Sequence, residues 1–298
     1  EVRVIDTTNR LIRLESQKIP FDYLIVALGA EPNYFNIPGL KENSISFKTL
    51  IDALKIRGEI ATISLFDSKI KPTVVIGGGG STGVELAGEI QFSQLAKVVV
   101  IQRPPIILNE FNKRVRELAE KRLEKLGVRI VFDSIVGVKD KKVILQGSQK
   151  IDYDVLIWAG GTKSNSLINN IPFRKDELGR IEVTREMKCR SQTADLRLVE
   201  NIYAIGDIVC MVDPTTNRPI PGLARIALEQ AHVAVNNILG KPTTYQSREY
   251  PHILPIGGKY AIFQHKNWVI AGIGAWFLKG LVELFYLLKI TSARHGGI

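Results

Sequence analysis

The stretch that decides the fold is Val75-Ile76-Gly77-Gly78-Gly79-Gly80-Ser81-Thr82-Gly83-Val84-Glu85. It satisfies the pattern G-x-G-x-x-G at Gly78, Gly80 and Gly83, directly after an apolar, strand-like run and directly before a helical pattern. In this context Gly78 permits a tight turn, Gly80 lets the backbone approach a pyrophosphate, and Gly83 lets the helix pack close to the strand. The phosphates would lie on the unpaired amides of the helix N-terminus. The stretch therefore predicts a dinucleotide site that includes Gly78, Gly80, Ser81, Thr82 and Gly83.

The next strand of this unit, over residues 98–101, ends at Gln102 and Arg103. An acidic residue usually stands there and binds the ribose hydroxyls of the nucleotide. Neutral Gln102 removes the repulsion that a carboxylate would exert on a 2′-phosphate, and Arg103 could pair with such a phosphate. We expect NADH to be the nucleotide, with NADPH as the alternative. Arg103 could equally be an ordinary, solvated loop residue with no role in nucleotide binding.

A second glycine-anchored signature lies far downstream, at Asn201-Ile202-Tyr203-Ala204-Ile205-Gly206-Asp207. Asp207 follows a strand, where its carboxylate can accept a hydrogen bond from a ribityl hydroxyl of a flavin, and Gly206 lets the backbone come close. Two such signatures in one chain predict two dinucleotide sites, which is typical of a flavin-dependent NAD(P)H oxidoreductase.

The composition limits the class of partner. The 298 residues include 40 Lys and Arg against 30 Asp and Glu, a formal net charge of +10. This balance favours an anionic partner, which could be phospholipid head groups, nucleic acid or nothing specific. Nucleic acid is the weakest of the three, because the sequence has no dense basic run interleaved with aromatics. Cys189 and Cys210 are the only cysteines, and their spacing predicts neither a disulfide framework nor a metal site.

Periodicity predicts most of the elements along the chain. Strands are expected over residues 1–6, 10–15, 21–29, 73–76, 98–101, 128–132 and 154–158, a hairpin turn near Asp140, and helices over residues 48–68, 84–90 and 112–126, the last ending at Gly127.

Four segments carry a resemblance to a known family. The chain resembles the two-dinucleotide-binding flavoproteins of the pyridine nucleotide-disulfide reductase superfamily in residues 23–32, the glycine motif, residues 155–161 and residues 203–207. Within it the chain is similar to type II NADH dehydrogenase, the single-subunit, membrane-bound NADH:quinone oxidoreductase. Features that carry this closer likeness are Pro219-Ile220-Pro221 before a helix beginning near Leu223, the run at residues 230–238, and an apolar tail with Ala275-Trp276.

The resemblance implies an α/β flavoprotein with two Rossmann-like, FAD/NAD(P)-binding domains. The implied segments are a partial FAD-binding domain and linker (1–70), an inserted NAD(P)H-binding domain (71–160), the second part of the FAD domain (161–240) and a C-terminal membrane-association region (241–298). Nothing before Tyr23 matches the family's first glycine fingerprint. We therefore expect a fragment with an incomplete FAD domain that binds FAD poorly.

The resemblance also assigns site residues. Glu85 is expected to point toward the contact between nicotinamide and flavin, with Glu89 one turn further along the helix, and both are the catalytic candidates. Gly29, Gly206 and Asp207 are assigned to the flavin, and Gly161, with Lys163 as a weaker candidate beside it, to the nicotinamide nucleotide. Where the family usually has two glutamines facing the quinone, this chain has Arg225 and Glu229, which could form an ion pair. His232 on the same helix is interpreted as a packed or surface histidine.

Apolar residues dominate the tail over residues 268–290, but Lys279 and Glu283 lie four apart on one helical face. A spanning helix would have to bury this pair, so we predict an amphipathic helix that lies in the membrane interface. Trp268, Trp276 and Tyr286 suit head-group depth. A buried helix at a dimer interface is the alternative. The resemblance implies a peripheral enzyme, a homodimer, on the cytoplasmic face of the membrane.

Two other functions are compatible with the sequence. One is a soluble NAD(P)H-dependent reductase of a ferredoxin, a rubredoxin or a disulfide. The other is a non-enzymatic flavoprotein that acts as a redox sensor, because a fold alone does not fix a function.

Overall fold

The structure is a computed structural model, and it describes residues 1–66, 71–103, 105–192, 198–213 and 219–295. The last two residues of the helix predicted over 48–68 lie outside these ranges.

The described residues form twenty-one short strands and six α-helices. The strands are β1 (Val2–Asp6), β2 (Leu11–Leu14), β3 (Lys18–Pro20), β4 (Leu24–Val26), β5 (Ala30–Pro32), β6 (Ile45–Ser46), β7 (Thr73–Gly77), β8 (Lys97–Gln102), β9 (Arg129–Phe132), β10 (Ile135–Lys139), β11 (Lys142–Leu145), β12 (Lys150–Asp152), β13 (Val155–Trp158), β14 (Thr162–Ser164), β15 (Ile181–Glu182), β16 (Lys188–Arg190), β17 (Leu198–Ala204), β18 (Val209–Cys210), β19 (His252–Pro255), β20 (Ala261–His265) and β21 (Trp268–Gly272). The helices are α1 (Leu40–Asn43), α2 (Leu50–Phe66), α3 (Ser81–Phe92), α4 (Lys113–Leu126), α5 (Ala224–Ile238) and α6 (Ile273–His295).

The chain forms two compact units. Unit 1 comprises Glu1–Asn33 and Thr162–Arg248, and unit 2 comprises Tyr34–Gly161 and Glu249–Ile298. Each unit therefore combines two segments that are far apart in the sequence.

Unit 2 is built on a parallel sheet in the order β6-β13-β7-β8-β9. Its strands are apolar on both sides because both faces are covered. One face, with Ile76, Val100 and Ile157, belongs to a core that includes residues of α2, α3 and α4. The opposite face, with Val75 and Leu156, packs with residues of the antiparallel sheet β10-β11-β12. The α/β class is thereby confirmed.

Local sequence signals account for the ends of α4 and for the hairpin between β10 and β11. The Asn112 side chain accepts a hydrogen bond from the Val115 amide and caps the start of α4, and Gly127, with φ of 89°, ends it. Asp140 and Lys141 join β10 to β11 with φ values of 51° and 55°. Two successive positive φ values are the geometry of the tight turns preferred in hairpins.

The C-terminal segment differs from its prediction. Trp268 lies on a strand, because Lys266, with φ of 53°, turns the chain so that β21 pairs with β20. Leu254 and Ile262 of the sheet β19-β20-β21, with Ile256 just after β19, belong to the core that also includes residues of α3 and α4. The predicted helix over 268–290 therefore begins only at Ile273, and the first part of the predicted membrane region completes the core of unit 2.

The described residues of unit 1 form four small sheets and α5. The parallel pair of β4 and β17 lies next to β16, and β5 pairs with β14. Helix α5 buries one face with Ile226, Gln230, Val233 and Ala234, as its 3.6-residue period predicts.

The units divide at Asn33/Tyr34 and at Gly161/Thr162. The first division lies well before the predicted boundary at residue 70, because α2 packs with β6 and β13 of the parallel sheet. In the described part of the chain, no helix combines the length and hydrophobicity that crossing a bilayer requires.

Candidate functional site

The glycine turn between β7 and α3 leaves no room for a side chain at Gly78 or Gly83. Gly78 has φ of 116°, and its amide donates to the Ile101 carbonyl at 2.8 Å. A Cβ on Gly83 would lie 1.9 Å from the Gly78 carbonyl oxygen. The first turn of α3 can therefore lie against the turn after β7 only because residue 83 is glycine.

The N-terminus of α3 presents backbone amides for an anion. Gly80 is the N-cap in an extended conformation and, being glycine, has no side chain that could cap the helix. The Ser81 amide donates instead to Glu110 Oε1 at 3.2 Å, and Thr82 is exposed. A carboxylate is favourable there because of the partial positive charge of the helix N-terminus. A phosphate would be favourable for the same reason.

Gln102 and Arg103 have different environments at the end of β8. The Gln102 Oε1 accepts from the Gly79 amide at 2.7 Å, and its Nε2 donates to the Arg103 carbonyl at 2.8 Å. Gln102 thus stabilises the glycine loop through both ends of its amide. Arg103 is exposed. Both line a cavity of about 320 Å³ in unit 2 together with Phe35, Ile37, Gly78, Ile101, Asp133, Ser134, Ile135, Trp158 and Gly160.

Trp158 forms an aromatic wall of this cavity. A Cβ on Gly160 would lie 2.3 Å from the indole ring, and one on Gly77 would lie 2.7 Å from it. Phe35 contacts Trp158 edge to face, with ring centroids 6.4 Å apart. Gly161 has φ of 142° and would place a Cβ 3.4 Å from the Phe35 ring. The cavity therefore offers a flat apolar surface beside a cation, which suits a nucleotide base and its phosphate.

Glu85 is a carboxyl of unit 2 with a strongly raised pKa. Burial raises its pKa to about 7, the nearby positive charge of Lys279 on α6 opposes this shift, and the charge of Glu89 adds to it. The Glu89 Oε2 accepts a hydrogen bond from the Gly258 amide at 3.4 Å. Glu85 can therefore hold or release a proton near neutral pH, whereas Glu89 also supports the turn after β19.

We expect Glu85→Gln to stabilise unit 2 in a pH-dependent manner. The pKa of Glu85 is raised on folding, so the wild-type protein loses stability as the pH rises from about 4.5 to about 7. The variant avoids this loss and should gain about 2 to 3 kcal/mol over the wild type above pH 7, but little at pH 4. Denaturant unfolding across this range measures the difference. Glu124→Gln, which removes an exposed carboxyl of α4, is the control, and a pH-independent difference for Glu85→Gln would contradict the prediction.

A second cavity, of about 180 Å³, lies in unit 1 at the end of β17. Gly206, with φ of 77°, and Asp207 line it. The Gly206 amide donates to Oε1 of the buried Gln230 at 2.7 Å. A Cβ on Gly222 would lie 2.8 Å from Asp207 Oδ1, so glycine at 222 keeps space beside this carboxylate. A carboxylate beside a sterically open backbone fits the ribityl and phosphate groups of a flavin nucleotide.

Lys163 also lines the cavity of unit 1. Its Nζ lies 3.4 Å from Glu31 Oε1, while Glu31 Oε2 accepts from the amide and hydroxyl of Ser166, each at 3.3 Å. Lys163 therefore lines the cavity of unit 1, and it is not among the residues that line the cavity beside Trp158. Gly29, with φ of 66°, immediately precedes β5, whose first residue Ala30 lines the same cavity.

The quinone-site candidates lie beside this cavity on α5. Arg225 Nε and Glu229 Oε1 are 3.7 Å apart, which confirms the predicted ion pair. The residues of α5 that line the cavity are Ile226, Ala227 and Gln230. His232 is exposed, in agreement with its interpretation as a surface histidine.

The two cysteines are poor nucleophiles. Burial raises the pKa of both thiols, and for Cys210 the negative charge of Asp176 adds to the effect. Since the thiolate is the reactive form, neither suits disulfide exchange at neutral pH. Within the described ranges, no three His, Cys, Asp or Glu side chains come together as metal ligands.

Sequence reasoning missed two residues of these sites. Gln230 was detectable, because it falls among Ile226 and Val233 on the apolar face of α5, where a buried polar residue needs a partner. Glu110 was not detectable, because its contact with Ser81 joins residues 29 apart and no local pattern indicates it.

These features define a dinucleotide-binding α/β protein, with the glycine turn on a parallel sheet and a second glycine–aspartate cavity in the other unit. The pattern of the pyridine nucleotide-disulphide oxidoreductase family matches residues 1–236, and the chain belongs to that family.

Named relatives refine this assignment. The chain is 31% identical over 248 residues to the internal alternative NAD(P)H-ubiquinone oxidoreductase A1 of Arabidopsis thaliana mitochondria, covering 75% of this chain and 47% of that protein. It is 27% identical to the type II NADH:quinone oxidoreductase of Staphylococcus saprophyticus, covering 97% and 77%. NDH2 from Plasmodium falciparum, solved in complex with NADH, has the same fold, with a TM-score of 0.81, 17% identity and coverage of 95% and 78%. The resemblance to type II NADH dehydrogenases is confirmed. The chain spans about half the length of the Arabidopsis relative.

Proposed function

We propose that this chain is the nucleotide-binding part of an FAD-dependent NADH:quinone oxidoreductase that moves two electrons to quinone without pumping protons. The observation that carries the proposal is α3, which combines an open, glycine-bounded N-terminus with a half-buried carboxyl, Glu85, whose pKa is about 7. One helix thus provides a site for a nucleotide pyrophosphate and, one turn further on, a group that can handle a proton. The similarity to an NAD(P)H-ubiquinone oxidoreductase and to a type II NADH:quinone oxidoreductase supports the same reaction.

The residues of unit 2 would bind the nicotinamide nucleotide. The amides of Gly80, Ser81 and Thr82 would bind the pyrophosphate, and Gly78 and Gly83 would keep the turn tight. Trp158 would pack against an apolar part of the nucleotide, with Gly161 close to it. NADH is the proposed donor. Arg103, exposed at the cavity, would let NADPH bind as well.

The residues of unit 1 would bind the flavin. Asp207 would accept a hydrogen bond from a ribityl hydroxyl, and the Gly206 turn, held by Gln230, would keep the backbone open. When bound, FAD supplies the redox chemistry, accepting a hydride from NAD(P)H and returning two electrons to the acceptor. Reduction of a quinone consumes protons as well as electrons, and Glu85, with Glu89 nearby, is the proposed proton-handling group. Arg225 and Glu229 are the proposed contacts to the quinone.

Helix α6 would attach the enzyme to the membrane. Its described side chains include a run of exposed apolar residues: Phe277, Leu281, Val282, Leu284, Phe285, Tyr286, Leu287 and Leu288. The Lys279–Glu283 ion pair, 2.6 Å long, interrupts this apolar run. An amphipathic helix of this kind tends to lie in the interface of a bilayer, with its apolar face toward the lipid. A peripheral homodimer on the cytoplasmic face, where NADH is available, is part of the proposal.

A soluble disulfide reductase is the second candidate, and Cys189 and Cys210 would not be its redox cysteines, because burial suppresses their reactivity. Nothing specific in the cavities favours a ferredoxin or rubredoxin as acceptor.

The test is steady-state oxidation of NADH and NADPH by the full-length protein with a short-chain quinone. We expect quinone-dependent turnover with a higher kcat/KM for NADH. Turnover only with a disulfide or an iron–sulfur protein would overturn the quinone assignment, and nucleotide binding without any turnover would favour the redox-sensor alternative.

A further inference from the structure

Glu110 lies at the N-terminus of α3 although it belongs to the loop between β8 and α4. Its Oε1 accepts the Ser81 amide hydrogen bond at 3.2 Å, and a Cβ on Gly80 would lie 3.9 Å from the same oxygen. This carboxylate thus takes one of the amides that a bound pyrophosphate needs.

The loop holds Glu110 in place. The Leu108 amide donates to the Gly79 carbonyl at 2.8 Å, and the Phe111 amide donates to the Leu108 carbonyl at 2.9 Å. Ile107 and Leu108 are fully buried, and Phe111 packs edge to face on His252 with ring centroids 5.4 Å apart. The backbone around residue 110 is therefore anchored on both sides, and only the side chain is free to rotate.

The electrostatic surroundings keep the carboxylate at the helix. His252 on β19 is a titratable side chain that interacts with Glu110, and burial lowers the pKa of His252 although the charge of Glu110 opposes the shift. Neutral His252 offers no cation to draw the carboxylate away at neutral pH. The N-terminus of α3, whose Ser81 amide donates to Glu110, is a positive partner for this carboxylate.

We propose that Glu110 sets the affinity of the protein for its nucleotide, because its carboxylate occupies the Ser81 amide and must be displaced by the pyrophosphate. This inference rests on the proposed function, in which the pyrophosphate binds at α3. Displacement costs a charge–dipole interaction and a hydrogen bond, and the displaced carboxylate remains close to the phosphates and repels them. Glu110 would therefore weaken substrate and product binding alike, which speeds release of the oxidised nucleotide.

The experiment compares Glu110→Gln with wild type, using the flavin-loaded full-length protein and isothermal titration with NAD⁺ and with ADP-ribose. The glutamine keeps the shape and an acceptor oxygen but removes the charge. We expect both ligands to bind about three- to tenfold more tightly, a change of the size that a charge at a helix terminus produces. Glu124→Gln makes the same change in net charge on the last turn of α4 and should leave both Kd values unchanged.

Thermal unfolding gives an independent measurement. Without nucleotide, Glu110→Gln should unfold at a slightly lower temperature than wild type, because α3 loses its anionic partner. Saturating NAD⁺ should nevertheless raise the Tm of the variant by more than it raises the Tm of the wild type. Equal affinities in variant and wild type, or weaker binding in the variant, would overturn the inference and leave the proposed function standing. Failure of the wild-type protein to bind either ligand would instead overturn the proposed nucleotide site itself.

Discussion

Gly83→Ala is expected to abolish nucleotide binding and to destabilise unit 2 strongly. The new Cβ would lie 1.9 Å from the Gly78 carbonyl oxygen, far inside van der Waals contact with a backbone atom that cannot rotate away. Helix α3 would have to move off β7, which would disturb the core shared by Ile76 and Val84. We expect a loss of about 3 kcal/mol or more in the free energy of unfolding, at or above the upper range for overpacking. Denaturant unfolding and NADH titration measure the two effects.

Gly58→Ala is the matched control for this change. Gly58 also lies within a helix, α2, and a Cβ there would meet nothing within 4 Å. Alanine in an exposed helix interior is favoured over glycine by about 0.5 to 1 kcal/mol, so this variant should be slightly more stable and bind NADH normally. Normal NADH affinity in Gly83→Ala would show that the contact between α3 and the turn is not needed for the site.

The sequence predicts the parts of this fold that depend on neighbouring residues. The glycine pattern specifies a strand, a turn and a helix within about a dozen positions, and Asn112 and Gly127 delimit α4 by their own chemistry. What the pattern cannot predict is which side chains reach the site from elsewhere. Glu110 reaches α3 because Leu108 and Phe111 anchor its loop, and this depends on packing, not on local spacing.

The same reasoning explains the error at the start of the tail. Residues 268–272 are apolar, and an apolar run cannot by itself distinguish a buried strand from a helix. Here the segment forms a strand, because the turn at Lys266 brings Trp268 opposite His265 of β20. Likewise Gln102, which the sequence assigns to the nucleotide site, has both ends of its amide engaged by the loop, which only the folded geometry reveals.

Helix α6 gives the second large expected effect. Phe285 and Leu288 are 72% and 58% exposed, and a bilayer interface would cover both. We expect the double variant Phe285→Gln with Leu288→Gln to bind vesicles of mixed phosphatidylcholine and phosphatidylglycerol at least about 100-fold more weakly, since each buried side chain of this size contributes about 1.5 to 3 kcal/mol. Cosedimentation with the vesicles measures the affinity, and circular dichroism verifies that the helix remains.

The control separates membrane binding from general loss of surface hydrophobicity. Leu54 and Leu65 on α2 are 56% and 84% exposed, so Leu54→Gln with Leu65→Gln removes a comparable apolar area elsewhere on the molecule. This pair should leave vesicle affinity within about twofold of wild type, because 0.4 kcal/mol or so is the scale of ordinary surface substitutions. If both pairs lowered affinity equally, α6 would not be the membrane contact. If the α6 variant kept its vesicle affinity but changed from dimer to monomer in sedimentation, a second copy of the chain, not lipid, would cover this helix.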